Sequence, residues 1–270
     1  MKLKESTKSL AISIPVNSFI VVMLLISEKV DHHWSISYPA LILIGIIISI
    51  AFCFFIFLIL FFPQIKKQKF LNSIIDAEGY SERYFYEHSR MISRIKSPAL
   101  RTSHLIMMSS AYSEIGNIQM AISTIRQVDT SGLMGINLCV YYNNLMYCYL
   151  QTGDIVNAEK IYPTAKPLIE KYIKNPKYAG MLHTLAVREY MVGNYQQSLG
   201  MLQNIISAAQ KDSSTFGVAK LDMGRVYIKL GDLEKAKELL MEVPKTLKTD
   251  YSYWQAQQLL AEISGVEINS

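Results

Sequence analysis

Catalysis requires titratable or nucleophilic side chains at spacings that let them meet, and this chain offers few. Its histidines are His32, His33, His88, His104 and His183, with Glu87 next to His88. A Glu–His pair on a helix could move a proton, but acid–base catalysis needs a third group to orient the imidazole or hold the substrate. No such group accompanies His88, and His104 and His183 stand alone in sequence, so these read as surface or packed residues. His32 and His33 could open a metal or pH-sensing site, yet no further ligand set follows, and the pair reads as part of a polar loop. Cys53 lies in an apolar run, and Cys139 and Cys148 are nine residues apart, on roughly opposite sides of one helix. Neither a CxxC pair nor a disulfide framework is present, so buried, reduced thiols are expected. The sequence also lacks GxxxxGK followed by Ser or Thr, GxGxxG, GxSxG, HExxH and an EF-hand loop. Recognition is therefore expected rather than reaction: no enzyme, no cofactor and no metal.

Composition supports this. Hydrophobic residues make up 50% of the chain and charged ones 18%, and the mean hydropathy is positive, which fits a soluble domain joined to membrane segments. The formal charge is +5, but residues 101–270 hold 16 Lys and Arg against 15 Asp and Glu. The excess therefore lies in the first hundred residues, as membrane flanks require, and a nucleic-acid surface is not expected.

The elements that must carry any recognition site begin with two apolar runs. Lys2, Lys4 and Lys8 mark a cytoplasmic N-terminus over 1–8, and the uncharged run 9–26 is long enough for a first transmembrane helix. No small-x-small cleavage site follows Ile26, so an uncleaved helix is expected. A short external loop, 27–38, leads to a second transmembrane helix over 39–62, in which the 23 residues from Ala40 to Phe62 carry no charge. With Lys66, Lys67 and Lys69 after the second span and only Lys29 in the loop, the positive-inside rule puts both termini in the cytoplasm. The rows Gly45, Ser49, Cys53 and Ser9, Ser13, Asn17 read either as close-packing stripes or as tolerated scatter. Neither span holds an acid or base, so no ion pathway is expected.

Residues 63–100 read as a juxtamembrane helical hairpin. Pro63 should end or kink the second span, Phe70, Leu71, Ile74 and Ile75 mark one helix closed by Gly79, and Ser81 caps another that Pro98 stops. Beyond it the dipeptides Gly116-Asn117, Gly153-Asp154, Gly193-Asn194 and Gly231-Asp232 recur at separations of 37, 40 and 38 residues. Glycine permits a left-handed turn after one helix, and Asn or Asp caps the next. Four residues before each glycine stands Tyr112, Tyr149, Glu189 or Tyr227, and four after each cap stands Ala121, Ala158, Ser198 or Ala236. Seven before each glycine come Ser109, Met146, Ala186 and Gly224.

This grammar resembles the tetratricopeptide repeat (TPR) family, from which Met146 and the missing end-of-unit proline depart. The resemblance implies an α-solenoid of four TPR-like repeats over 101–250 in a right-handed superhelix, so that with the two-helix transmembrane hairpin read from the apolar runs the expected fold is all-α. Helices of about 12 to 16 residues are expected, with a kink or break at Pro163. Residues 251–270, opened by Tyr251, Tyr253 and Trp254, should form a capping helix that covers the open end of the core.

In the resembled family the first helix of each unit lines an inner groove, with the positions ten, six, three and two before the turn glycine pointing into it. Those positions are Asn143, Tyr147, Leu150 and Gln151 in the second unit, His183, Val187, Tyr190 and Met191 in the third, and Arg225, Ile228 and Lys229 in the fourth. Asn144 matches part of the carboxylate-gripping set of chaperone-binding members, but Ile106, Ser110, Gly180 and Thr184 occupy its other places. The candidate partner-binding groove is thus Asn143, Asn144, Tyr147, Gln151, His183, Tyr190, Arg225 and Lys229, with an acidic group expected near Arg225 and Lys229. Two functions follow: a membrane-anchored scaffold binding a protein or peptide, or a structural subunit of a membrane complex in secretion, envelope biogenesis or signalling.

Overall fold

A computed structural model describes residues 38–175, 178, 180–211, 213–246 and 250–265. The expected first span, 9–26, and loop residues 27–37 lie outside the described residues. The chain divides into two units, Met1–Phe70 and Leu71–Ser270.

Helix α1 runs unbroken over Tyr38–Glu78, 41 residues. The expected stop at Pro63 is not seen; a proline removes one ladder hydrogen bond and can bend a helix without ending it. Among the described residues no helix is long and apolar enough to cross a membrane. In α1, however, the side chains of 40–42, 44 and 56–61 are outside the description, which interrupts the uncharged run Ala40–Phe62 of the sequence. Where side chains are described, Ile46, Ile47, Ile48, Ile50, Phe52, Phe54 and Phe55 are all exposed. Successive exposed apolar residues leave this part of the helix without a polar face.

The second unit is built of helical hairpins and, among the described residues, contains no strand. Helix α2 (Glu82–Arg94) is capped by the Ser81 hydroxyl, which accepts from the Tyr84 amide. Four hairpins follow: α3 (Pro98–Glu114) with α4 (Ile118–Ile125), α5 (Gly135–Gln151) with α6 (Ile155–Tyr172), α7 (Met181–Met191) with α8 (Tyr195–Ala208), and α9 (Ser214–Leu230) with α10 (Leu233–Met241). A single last helix, α11 (Asp250–Ser264), packs on α9 and α10. Each helix lies closest to its partner across the turn, and first helices also touch first helices of neighbouring units, the contact pattern of a solenoid. Second helices are less uniform than expected, from 8 residues in α4 to 18 in α6.

The turns follow their chemistry. Gly116, Gly153, Gly193 and Gly231 take φ of 77°, 73°, 86° and 81°, a region that side chains avoid. Asn117, Asp154 and Asp232 each accept an amide hydrogen from the first turn of the next helix, but Asn194 makes no side-chain cap. Its amide donates instead to Glu189 Oε2 at 2.7 Å. Glu189 is buried where the other units carry tyrosine, and Arg188 also binds it at 2.8 Å. Arg188 in turn grips Glu159 of α6 through two bonds of 2.7 and 2.8 Å and lies 4.0 Å over the Tyr162 ring. The third unit has replaced a tyrosine joint with a charged one that ties α6 to α7.

The expected break at Pro163 is also absent: α6 continues through Pro163 and Pro167. Both prolines are exposed, so water can satisfy the carbonyls they leave without partners, while Ala158, Ala165 and Ile169 on the other face are fully buried. Small residues bring the hairpin helices together. The Ser109 hydroxyl donates to the Ala121 carbonyl at 2.9 Å, and the Ser198 hydroxyl to the Ala186 carbonyl at 2.8 Å. Ala158 and Ala236 occupy the same contact with no exposed surface. Ala158→Leu or Ala236→Leu should therefore overpack the joint and cost about 1–3 kcal/mol, read as a lower denaturation midpoint at unchanged helicity.

Candidate functional site

Inner residues of α3, α5, α7, α9 and α11 line one cavity of about 270 Å³. At roughly 100° per residue, the positions ten, nine, six and two before a turn glycine share one arc of a helix. That arc faces the cavity, carrying Asn143, Asn144, Tyr147 and Gln151 from α5, His183 and Thr184 from α7, and Arg225 from α9. The position three before the glycine lies on the arc's trailing edge. Leu150 and Val187 are accordingly core residues, and Ile228 packs against the core beside Leu221 and Leu240. Tyr190 packs against the α7–α9 core with its ring 5.9 Å from Tyr195, and Lys229 is exposed; neither lines the cavity.

The concave face is closed rather than open. The Tyr251 ring of α11 rests on the turn after α3, so closely that a Cβ on Gly116 would lie 2.2 Å from it. Gln255 Nε2 donates to the Tyr251 hydroxyl at 2.9 Å and helps hold it there.

Arg225 is already engaged. Its guanidinium donates to Asp222 Oδ1 at 2.7 Å and to Gln255 Oε1 at 3.1 Å, while His183 Nε2 lies 2.6 Å from Asp222 Oδ2. Burial opposes ionisation of Asp222, but Arg225 and His183 outweigh it and hold the carboxyl below its ordinary value. The acidic group expected near Arg225 and Lys229 is therefore not an outside ligand: Asp222 fills that place for Arg225. Burial, then the charges of Asp222 and Glu114, push the Tyr147 phenol well up.

On the opposite wall a relay of hydrogen bonds has a fixed direction. The Ser110 hydroxyl donates to the Ile106 carbonyl at 3.2 Å and accepts from Asn144 Nδ2 at 2.7 Å. Asn144 Oδ1 accepts from Asn143 Nδ2 at 3.3 Å. With the Ser110 hydroxyl donating to the Ile106 carbonyl, which only accepts, its oxygen takes the Asn144 amide hydrogen, and both amides are oriented in turn. Asn143 Oδ1 is left buried without a donor, and Ser113 Oγ, also on the cavity wall, is buried without a partner. Glu114 stands beside them, in contact with solvent yet surrounded by protein. Burial raises its carboxyl above the ordinary value, partly offset by His183 and the Ser214 hydroxyl.

Sequence reasoning missed Glu114, Asp222, Tyr251 and Gln255. Three of them were within reach of the same offsets: Glu114 is two before Gly116, Gln255 ten before Gly265, and Asp222 nine before Gly231, the place of Asn144 and Thr184. Tyr251 has no such signal, since its role depends on how far the array turns.

The other candidate acid–base residues are packed. His88 and His104 are not separate: His88 Nε2 lies 3.1 Å from His104 Nδ1, and His88 Nδ1 lies 3.0 Å from the Tyr84 hydroxyl. Cys139 and Cys148 are buried, and burial raises their thiols to about 11 and about 12. Among the described residues no group of three or more His, Cys, Asp or Glu is placed to hold a metal ion.

Among solved structures, the chain is similar to a signal transduction ATPase with numerous domains (STAND) and a tetratricopeptide repeat sensor from Pyrococcus horikoshii, at 17% identity and a TM-score of 0.50. That likeness covers 75% of this chain and 31% of the archaeal one, so this chain spans about a third of that protein's length. BtubC (BKLC) from P. vanneervenii aligns at 16% identity and a TM-score of 0.43 over 73% of this chain and 80% of its own. A putative kinesin light chain from Podosopora anserina with nearly identical TPR-like repeats aligns at 17% and 0.42 over 63% of this chain and 96% of its own. No curated protein sequence matches the chain. The model of the SusR N-terminal TPR domain matches residues 82–243, from α2 to the end of the fourth hairpin. With more than half of its length so matched, on a fold of stacked helical hairpins, this chain belongs to the SusR N-terminal TPR domain family.

Proposed function

We propose that the chain is a non-catalytic scaffold that binds a protein partner through its TPR-like array and is held at a membrane by its N-terminal apolar segments. The observation that carries this reading is the polar cavity assembled from five inner helices. A volume of about 270 Å³ behind the Tyr251 closure suits an inserted side chain or chain end of the partner. His183 and Asp222 form the one acid–base pair there, and Arg225 already engages the carboxylate.

The test compares two double variants in recovering crosslinked partners from intact membranes. Asn143→Ala with Tyr147→Ala alters the cavity, while Lys235→Ala with Glu238→Ala alters the exposed face of α10. Partner recovery should fall several-fold for the first pair only, at unchanged helicity. Equal loss for both would remove the cavity from the interaction.

Membrane attachment rests on the 23 uncharged residues from Ala40 to Phe62 and on the exposed isoleucines and phenylalanines of α1. Lysines flank the two apolar runs on the side read as cytoplasmic. With the native cysteines replaced, Ser270→Cys should resist a membrane-impermeant thiol reagent in whole cells and react after lysis. Labelling before lysis would reverse the topology.

A further inference from the structure

We propose that the cavity is a cation site, taking a primary ammonium or guanidinium group carried by a small free amine or by a side chain of the partner. This rests on the reading of the cavity as the recognition site and adds the chemistry of its occupant. Three observations carry it. The first is the direction of the Ile106–Ser110–Asn144–Asn143 relay, which leaves Asn143 Oδ1 as a buried acceptor that no protein group serves. A buried acceptor without a donor is costly, and an entering N–H group would relieve it.

The second is the state of the charges. Arg225 spends its donors on Asp222 and Gln255, and His183, the other basic group lining the cavity, is held by Asp222, so an anionic occupant would find no free positive partner among the described residues. Glu114 lines the same cavity as Asn143 and, among the described residues, makes no ion pair; its hydrogen bond is to the neutral Ser214 hydroxyl. An incoming ammonium would supply a countercharge that His183, engaged by Asp222, supplies only in part. The third is the company around it. Ser113 Oγ is unpartnered and can accept from the same group, and the Tyr147 and Tyr251 rings line the cavity, where aromatic faces favour a cation over an anion.

The experiment uses the full chain in detergent micelles and titrates four probes of similar length: n-butylammonium, N-acetyl-lysine methylamide, n-butanol and butyrate. Binding is read by calorimetry and by the rise in Tm. At least one cationic probe should bind saturably and at least ten-fold more tightly than butanol and butyrate, and Glu114→Gln should lose that preference while keeping the circular dichroism of the parent. Tighter binding of butylammonium assigns the site to a free amine, and tighter binding of the lysine probe to a partner's side chain; both support the proposal. Equal binding of the neutral or anionic probe, or a full preference retained in Glu114→Gln, overturns it. Asn143→Ala with Tyr147→Ala separates this from the scaffold reading. If partner recovery depends on the cavity but no cationic probe binds, the cation assignment alone fails; if the probes bind but recovery is indifferent to the cavity, the scaffold reading alone fails.

Discussion

Arg225→Met should lower the stability of the array by about 3–5 kcal/mol, the range seen when one partner of a buried ion pair is removed. The cause is the carboxylate left behind. Asp222 is 7% exposed and sits 2.7 Å from the guanidinium, and without it only His183 would oppose the cost of burying the charge. Methionine keeps much of the stem's packing, so the loss is electrostatic rather than a cavity effect. The double variant Asp222→Asn with Arg225→Met should recover most of the loss, because no uncompensated charge then remains. Denaturant titrations of the four members of this cycle measure the coupling directly. A loss in the double variant equal to the sum of the two single losses would mean that the pair is not coupled. Gln255 should also lose its anchor, so the Tyr251 closure should loosen, seen as faster amide exchange in α11.

The second large effect is on pH dependence. His88 is fully buried between Tyr84 and His104, and burial, followed by the His104 ring, lowers its pKa from 6.5 to about 4. The folded value lies below the unfolded one, so the unfolded chain takes up the proton first as pH falls. The contribution of His88 is complete above about pH 6.5 and is lost between about 6.5 and about 4. Wild type should lose about 2 kcal/mol from this group by pH 5 and about 3 kcal/mol near pH 4. Other groups titrate in the same window, so the comparison is with His88→Gln, which keeps a polar side chain at the site. The difference in slope between pH 7 and pH 5 should approach one proton, and identical slopes would assign the acid sensitivity elsewhere.

Much of the array was determined by local chemistry and could be read from the residues. A glycine followed by Asn or Asp favours a left-handed turn and a cap; all four turns fall where their dipeptides stand, and three of the four carry the side-chain cap. The small residues at Ala121, Ala158, Ser198 and Ala236 likewise mark close helix contacts, because only small side chains permit them. Helix continuation was less legible. Pro63 and Pro163 looked like breaks, but whether a proline breaks a helix depends on what satisfies the freed carbonyl, and the solvent-exposed face of α6 settled that for Pro163. The irregular third unit followed from Glu189, whose burial is made tolerable by Arg188 of the same helix and Asn194 of the following turn, while Glu159 of α6 takes the rest of the guanidinium.

The site divides in the same way. The stripe of inner residues followed from the groove positions of the resembled family, counted back from each turn glycine, and Asn143, Tyr147, Gln151, His183 and Arg225 do line one cavity. Tertiary structure alone decided that this side is closed. Tyr251 meets Gly116 across more than a hundred residues of chain, through the accumulated rotation of successive hairpins that no single turn encodes. It also decided which charges were already paired. Arg225 looked like a ligand-binding cation until α9 and α11 placed Asp222 and Gln255 against it, and Glu114 gained its significance only when the other inner helices brought their polar residues to the same cavity. Helix type, caps and contact faces depend on neighbours a few residues away, whereas closure and charge pairing depend on groups that only the complete array brings together.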